Sequence, residues 1–245
     1  MNNQPLVSCI CITKNNLNLV LRSIDCFLKQ TYKNKELVIT YETNNPYISL
    51  FNWFAKNYPE IKLIELPESP KKPLGELRNL SIEQSSGQYF MQWDDDDWFH
   101  PERIEYQVSQ LTDQYKANIL TRWLMFDGLT NLAYTSFRRK WEGSILCSKD
   151  IFMKSSKYPC LAKGEDTDFI NNIIPHIKEL DNPKLYIYVF HNNNTWYYWH
   201  FQNNFKQSVF LGNEFSGTVK KILDGAINLN LGEQLELINS IKIEP

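Results

Sequence analysis

The chain has 245 residues with 26 Lys and Arg against 28 Asp and Glu, so it lacks the overall basic field that recruits nucleic acid or anionic lipid. Its 9 glycines are about half the usual share and form neither a GxGxxG run nor a P-loop, which excludes phosphate binding by a glycine-rich loop. The 5 cysteines include no CxxC pair, which argues against a zinc site or a disulfide framework.

Strands and helices alternate regularly along the first hundred residues. Apolar, β-branched runs predict strands, and apolar residues at helical spacing predict helices. In chain order, strands are predicted at 6–12, 36–41, 61–66 and 88–93, and helices at 17–30, 47–58 and 75–86. This alternation predicts an α/β fold with a doubly wound, mainly parallel sheet flanked by helices.

Beyond residue 100 the alternation loosens. Pro101 suits the first turn of a helix running to residue 115, and Pro175 should bend or end another at 165–178. Further strands are predicted at 118–126, 132–138 and 185–190, and helices in the tail at 205–211, 218–229 and 233–241. We therefore expect a main domain over residues 1–200 and a helical C-terminal extension over residues 201–245.

Four consecutive carboxylates, Asp94 to Asp97, directly follow a predicted strand. In extended backbone Asp94 and Asp96 would point to the same face, where their mutual repulsion calls for a retained proton or a bound cation. A hard divalent ion suits such oxygen ligands. The alternative is a solvated acidic turn that helps to cap the next helix. The position at the carboxyl end of a strand favours a ligand site, because open α/β sheets bind ligands there.

The chain resembles the family 2 glycosyltransferases with the GT-A fold, over roughly residues 6–200. The most specific match is Asp94 to Pro101, which reads Asp-x-Asp-Asp, three residues and Pro, and Gly164-Glu165-Asp166 supports it. Further matching segments are Val7 to Asn15, Gln30-Thr31-Tyr32, Gly75, Arg78-Asn79 and Gly87-Gln88-Tyr89.

This resemblance implies a site for a nucleoside diphosphate sugar and for Mn²⁺ or Mg²⁺. The implied metal ligands are Asp96, Asp94 and His191, although a lone His after a strand is also a common loop residue. The implied donor contacts are Thr13, Asn15, Glu42, Arg78, Asp94 and Asp95. Glu42 stands where the family usually has an Asp pair, so a uridine nucleotide is the first expectation and another nucleotide the alternative.

On the acceptor side, the resemblance implies that Asp166 is the general base, with Glu165 beside it in the catalytic motif. Acids in the first turn of a helix are also explained by the helix dipole alone. The segment Trp141, Glu142 and Gly143 resembles the part of the family that faces the acceptor sugar, with plain core packing as the alternative for Trp141.

A second group of aromatic residues lies late in the chain. Three interpretations of this group are possible: core packing under the tail helices, an acceptor groove, or a membrane-facing patch. Its members are Tyr197, Tyr198, Trp199, Phe201 and Phe205.

The expected function is transfer of one sugar, with inversion, from a nucleoside diphosphate sugar to a hydroxyl of a saccharide or glycolipid. The QxxRW pattern of processive synthases is absent from the sequence. A module of the same fold that binds sugar nucleotides without transfer is the alternative, and nucleotidyl transfer is a third reading that lacks its glycine-rich loop. We expect a cytoplasmic protein; contact with the inner face of the membrane and a homodimer through the C-terminal helices remain open.

Overall fold

The computed structural model describes residues 4–14 and 17–243, so the predicted donor contact Asn15 lies outside the described residues. The strands are β1 Val7–Ile12, β2 Lys35–Glu42, β3 Ile61–Leu66, β4 Tyr89–Gln92, β5 Trp98–Phe99, β6 Ala117–Leu120, β7 Leu124–Asp127, β8 Leu132–Thr135, β9 Leu146–Ser148, β10 Ile177–Leu180, β11 Tyr186–Phe190 and β12 Val209–Phe210. The helices are α1 Leu17–Leu28, α2 Ile48–Asn57, α3 Leu74–Gln84, α4 Arg103–Ser109, α5 Lys149–Lys154, α6 Glu165–Ile173, α7 Tyr198–Lys206, α8 Gly212–Gly225 and α9 Leu231–Ser240.

The main sheet has seven strands in the order β10-β6-β9-β4-β1-β2-β3. Strand β1 pairs in parallel with both β2 and β4, while β9 runs antiparallel between β4 and β6. Successive residues of β1 pack on opposite faces of the sheet: Cys9 and Cys11 belong to one apolar cluster, and Ile10 belongs to another. Both faces of the sheet are therefore covered, as in doubly wound folds, and the prediction of a mainly parallel sheet is confirmed.

A second, five-stranded sheet in the order β12-β8-β7-β11-β5 was not predicted. The predicted strand at 118–126 is instead two strands, β6 in the main sheet and β7 in the second. The polar pair Thr121-Arg122 lies at the break, but a short polar interruption does not by itself show that the flanking segments join different sheets. The second sheet brings β11 beside the acidic segment, because β11 pairs with β5 through Ile187 and Trp98.

The tail agrees with the predicted pattern only in part. The predicted helix at 205–211 is wrong: α7 ends at Lys206, and β12 follows it to pair with β8 through Val209 and Thr135. This tertiary pairing overrides the local helical spacing. Helix α8 buries Val219 and Ile222 in the same apolar cluster that contains β1. No helix in the described part of the chain has the length and apolar character needed to cross a bilayer.

A close backbone approach at Gly75 positions the loop that leads to α6. The amide of Gly75 donates to the carbonyl of Leu161 at 3.0 Å, and a β-carbon on Gly75 would lie only 1.9 Å from the carbonyl oxygen of Pro159. Because the obstacle is backbone, a methyl group there forces the loop away from α3. Gly75→Ala should lower the free energy of unfolding by about 1–3 kcal/mol, measured by urea denaturation.

Gly217→Ala is the matched control, because Gly217 also lies inside a helix but a β-carbon there meets nothing within 4 Å. It should raise the free energy of unfolding by up to about 1 kcal/mol through helix propensity alone. Equal effects at the two positions would contradict the close approach at Gly75.

Candidate active site

The acidic segment lies where β4 leaves the sheet. Strand β4 ends at Gln92, and the chain turns at 95–97 rather than staying extended. The Asp94 carboxylate therefore accepts hydrogen bonds from Gln92 and Arg78, whereas Asp96 accepts from His191 and Asn194. The prediction assumed extended backbone, and here the two carboxylates have different hydrogen-bond partners, although the charge of Asp96 still raises the pKa of Asp94.

Side chains from α1 fix the backbone of the acidic turn. Ser23 Oγ donates to the carbonyl of Asp94 at 3.2 Å, and the guanidinium of Arg22 donates to the carbonyl of Asp96. The last acid, Asp97, is buried and accepts hydrogen bonds from Tyr186 and from the Val189 amide of β11. Burial, with repulsion from Asp96, raises the pKa of Asp97 well above its usual value. Asp97 thus attaches the turn to the second sheet.

Arg78 in α3 joins the acidic turn to the start of α6. Its Nε lies 2.9 Å from Glu165 Oε1, and its Nη2 lies 3.3 Å from Asp94 Oδ1. Both Arg78 and Glu165 are buried, so each depends on the other for charge compensation. Burial raises the pKa of Asp94, and the charge of Arg78 opposes that rise. Arg78 is therefore the link between the predicted donor side and the predicted acceptor side.

The two acids at the start of α6 have different surroundings. Glu165 is 2% exposed and is held by Arg78, so it orients the helix and has little surface to offer a substrate. Asp166 is partly exposed, and burial together with repulsion from Glu165 raises its pKa to about 6. The preceding Gly164 has φ +72°, a left-handed conformation that turns the chain into the helix. Of the predicted catalytic pair, Asp166 is the one available for proton transfer.

Asp96 and His191 form the part of the site best suited to a metal ion. His191 Nε2 lies 3.0 Å from Asp96 Oδ2, and Asn194 Nδ2 lies 3.1 Å from the same oxygen. A carboxylate and an imidazole fit Mn²⁺, and sites for such ions combine one or two carboxylates with substrate phosphates. Among the described residues no three acid, His or Cys side chains form a metal-binding group, and Asp94 is held by Arg78 instead. The donor set present therefore fits an ion that shares its coordination with a diphosphate.

The predicted donor contacts Thr13, Glu42 and Asp95 gather at the same edge of the main sheet. Thr13 directly follows β1, is buried, and donates its amide to the carbonyl of Thr40. Glu42 ends the neighbouring parallel strand β2. Burial, with repulsion from Asp96 added, raises the pKa of Asp95, while the Thr13 hydroxyl opposes the rise. The roles of Thr13, Glu42 and Asp95 toward a nucleotide remain predictions.

In the predicted acceptor segment, Trp141 packs in the core, whereas Glu142 and Gly143 lie at the candidate active site. Trp141 is buried, stacks on Trp123 at 4.4 Å, and lies under the Arg139 guanidinium at 4.7 Å. Both faces of the Trp141 ring are thus covered, and it is not an open sugar platform. Its neighbours do reach the site: Glu142 accepts from Thr167 Oγ1 at 3.3 Å, and a β-carbon on Gly143 would lie 3.5 Å from Asp94 Oδ2.

Sequence reasoning missed several residues of this site. Asn194 follows His191 within one polar run, so that run was a usable signal for it. Tyr188 is two residues beyond Tyr186 in β11 and therefore points to the same side as the partner of Asp97. Burial and the nearby aspartates, Asp97 first, raise the pKa of Tyr188 well above its usual value. Arg22 had no such signal, because its role depends on where α1 packs.

In a comparison with known protein families, residues 8–164 match the family described as "Glycosyl transferase family 2". Among curated proteins, the chain is 28% identical to the putative glycosyltransferase EpsE of Bacillus subtilis. That alignment covers 66% of this chain and 60% of EpsE. The region that matches the family begins at the second residue of β1, includes the acidic turn and the strands up to β9, and ends just before α6.

Solved structures give similarities that cover nearly the whole chain. The mannosyltransferase PcManGT from Pyrobaculum calidifontis, in complex with GDP-Man and Mn²⁺, has a TM-score of 0.61 at 14% identity and covers 98% of this chain and 74% of its own. S. aureus TarS in complex with UDP-GlcNAc has a TM-score of 0.62 at 12% identity and covers 95% of this chain and 70% of its own. These similarities confirm the predicted GT-A fold.

Proposed function

The chain belongs to glycosyl transferase family 2, and we propose that it transfers a sugar from a nucleoside diphosphate sugar to a hydroxyl of a saccharide or glycolipid. In this proposal the reaction depends on Mn²⁺ or Mg²⁺, inverts the anomeric carbon, adds one sugar per encounter, and uses Asp166 as general base. The first donor to be expected is a UDP-sugar, with GDP-sugars as the alternative, since similar structures hold UDP-GlcNAc and GDP-Man.

One observation carries this proposal. The buried guanidinium of Arg78 joins the acidic turn, which is suited to binding a metal ion and a diphosphate, to the start of α6, where the Asp166 carboxylate is suited to proton transfer. Arg78 contacts Asp94 beside the acidic turn and Glu165 beside Asp166. Because Arg78 is buried, its contacts with Asp94 and Glu165 hold the acidic turn and the start of α6 at a fixed distance from each other. Such an arrangement suits a reaction in which a leaving diphosphate and an attacking hydroxyl must face each other.

The chemistry assigned to this chain's residues is a direct displacement. Asp166 accepts the proton of the acceptor hydroxyl as its oxygen bonds to the anomeric carbon, while the bond from that carbon to the diphosphate oxygen breaks. The electron pair of the broken bond stays on the diphosphate, which leaves on the side of the acidic turn where Arg78 contacts Asp94. With its pKa raised to about 6, Asp166 is ionised at neutral pH and is a stronger base than an ordinary aspartate.

Asp96 and His191 are the residues that would hold the metal ion, and Asn194 orients the Asp96 carboxylate by donating to the same Oδ2 that His191 contacts. When bound, the ion would stabilise the negative charge that develops on the leaving diphosphate. Arg22 and Ser23 keep the backbone of the turn in place through the carbonyls of Asp96 and Asp94. The carboxylate position is thus set by the protein before an ion arrives.

The proposal predicts slow, metal-dependent hydrolysis of a donor in the absence of an acceptor. Purified protein should be incubated with Mn²⁺ and a panel of UDP- and GDP-sugars, and release of the nucleoside diphosphate measured. EDTA should lower the rate by roughly a thousandfold, because a bound metal contributes several kcal/mol to stabilising the leaving charge. Failure to bind or hydrolyse any donor would overturn the proposed function, whereas binding without hydrolysis or transfer would favour a sugar-nucleotide-binding module.

A further inference from the structure

A line of aromatic rings begins inside the candidate active site at Tyr188. Its ring is stacked between Trp123 at 4.7 Å and Phe201 at 4.8 Å, with interplanar angles of 29° and 24°. These contacts hold the ring rigidly while leaving the residue partly exposed. Tyr188 also lies within the electrostatic influence of both Asp94 and Asp166. Tyr188 lies on the same side of β11 as Tyr186, the partner of Asp97, and so faces the acidic turn.

From Tyr188 the line continues toward the surface. Phe201 meets His200 at 5.7 Å, and His200 is stacked on Trp196 at 4.6 Å and 16°. The ammonium group of Lys163 then lies 5.4 Å from the centre of the Trp196 ring and 4.6 Å from that of Tyr197. Lys163 thus connects the loop before α6, the helix whose first turn contains Asp166, with the loop after β11, which contains His191.

The outer end of this line is open to solvent. Tyr197 is 69% exposed and Trp199 is 58% exposed, whereas Phe201 at the inner end is fully buried. Trp199 belongs to the same group through its edge contact with His200 at 6.2 Å. Of the late aromatic cluster, Phe201 and Phe205 pack in the core, and Tyr197 and Trp199 do not. Lys163, three residues before Asp166, lies over the Trp196 and Tyr197 rings, so this exposed patch borders the start of α6. An exposed aromatic patch beside a proposed catalytic residue marks a surface used for binding.

The charges beside this patch favour an uncharged polyol over an anionic surface. Lys163 places one positive charge on the patch itself, and Asp166, three residues further along the chain, opposes it. Arg139 pairs with Glu142 and Arg138 pairs with Asp181, so these two arginines do not form the basic cluster that an anionic surface would need. Sugars match this environment, since their C–H faces pack on rings and their hydroxyls donate to carboxylates.

We propose that Tyr188 at the inner end and Trp196, Tyr197 and Trp199 at the outer end form the binding surface for an uncharged saccharide acceptor of more than one sugar unit. The reacting unit lies against Tyr188 and Asp166, and the units behind it pack on the outer rings. This inference rests on the proposed function, because it assumes that the hydroxyl presented to Asp166 belongs to the acceptor. Transfer then favours the end of a chain over a free monosaccharide.

The test compares acceptors that differ only in length. With donor saturating, the KM is measured for methyl glycosides of glucose, galactose, mannose and N-acetylglucosamine and for their two- and three-unit oligomers. In Tyr197→Ala and Trp199→Ala, the KM for the preferred trisaccharide should rise roughly tenfold more than the KM for the matching monosaccharide, which is the scale of one lost ring contact. Tyr188→Phe keeps the stacked ring but should raise the KM for all lengths alike.

Trp53→Ala is the matched control, because Trp53 is 52% exposed on α2 and lies outside this line of rings. It should leave the dependence on acceptor length as in the unaltered protein. Equal effects on monosaccharide and trisaccharide in Tyr197→Ala, or donor hydrolysis without binding or use of any of these acceptors, would overturn the inference. So would loss of cosedimentation with phosphatidylglycerol vesicles as the only effect of the two outer variants. Absence of donor hydrolysis in the unaltered protein would instead count against the proposed function.

Discussion

Asp166→Asn should lower turnover by roughly a thousandfold while leaving nucleotide-sugar binding nearly intact. Asparagine occupies the same space but cannot accept the acceptor proton, and a positioned general base contributes about 10² to 10⁴ in rate. Donor binding should survive, because the contacts of Arg78 go to Glu165 and Asp94 and not to Asp166. The measurements are kcat with a saturating acceptor and the Kd for the donor by titration calorimetry.

The pH profile gives Asp166→Asn a second readout. Burial raises the pKa of Asp166 to about 6, and only the ionised carboxylate can take a proton. In the unaltered protein, kcat/KM should therefore fall about tenfold per pH unit below pH 6 and level off above it. In the variant this fall should disappear. An unchanged acid limb with reduced turnover would assign the titration to another group.

Asp168→Asn controls for the removal of a negative charge from the first turn of α6. Asp168 is exposed in the same turn, so both variants lose a similar interaction with the helix dipole, about 0.3–1 kcal/mol of stability. Turnover in Asp168→Asn should stay within a few-fold of the unaltered protein. A loss as large as that of Asp166→Asn would mean that the charge of the turn, and not proton transfer, is what the reaction needs.

Asp96→Asn should abolish tight Mn²⁺ binding and lower metal-dependent turnover by roughly a thousandfold. The substitution keeps the size of the side chain, and the backbone of residue 96 remains held by Arg22. It removes the charge that we propose binds the ion together with His191, which lies 3.0 Å from the carboxylate. A bound ion is worth several kcal/mol of charge stabilisation in such a reaction. The measurements are free Mn²⁺ by electron paramagnetic resonance and kcat at saturating metal.

Asp113→Asn is the control for this experiment, because Asp113 is a fully exposed acid paired only with Lys116 on the surface. It should bind Mn²⁺ and turn over donor as the unaltered protein does. Asp96→Asn protein that binds Mn²⁺ normally yet loses turnover would show that Asp96 acts on the substrate directly. In that case another group must hold the ion.

The local patterns predicted the elements of the first hundred residues well. The strand Ile61–Leu66 was predicted to the residue, and the neighbouring strands differ from prediction at their ends by only one or two residues. This agreement has a physical basis, since the central strand Val7–Ile12 is buried and mostly apolar, the edge strand Ile61–Leu66 combines buried apolar with exposed charged residues, and the helices between the strands carry one apolar stripe. The placement of the acids at a carboxyl edge followed from the same alternation.

The later elements were harder, because their patterns do not record which partner each strand will find. The run at 118–126 has apolar residues on both sides of Thr121-Arg122, and it crosses from one sheet to another at this polar pair. The segment around Val209 has helical spacing but becomes an edge strand through pairing with Thr135. In both cases a contact distant in sequence outweighed a local preference of about 1 kcal/mol or less.

By itself the sequence determined the alternation of elements, the acidic motif at a strand end and the acid pair at the start of α6. Tertiary structure alone decided that Asp94 turns to Arg78, that Asp96 turns to His191, and that the open aromatic surface is Tyr197 and Trp199 rather than Trp141. The reason is that a motif fixes residue types and spacing along the chain. The direction of each side chain depends on where the strand ends and on which helices and strands pack beside it.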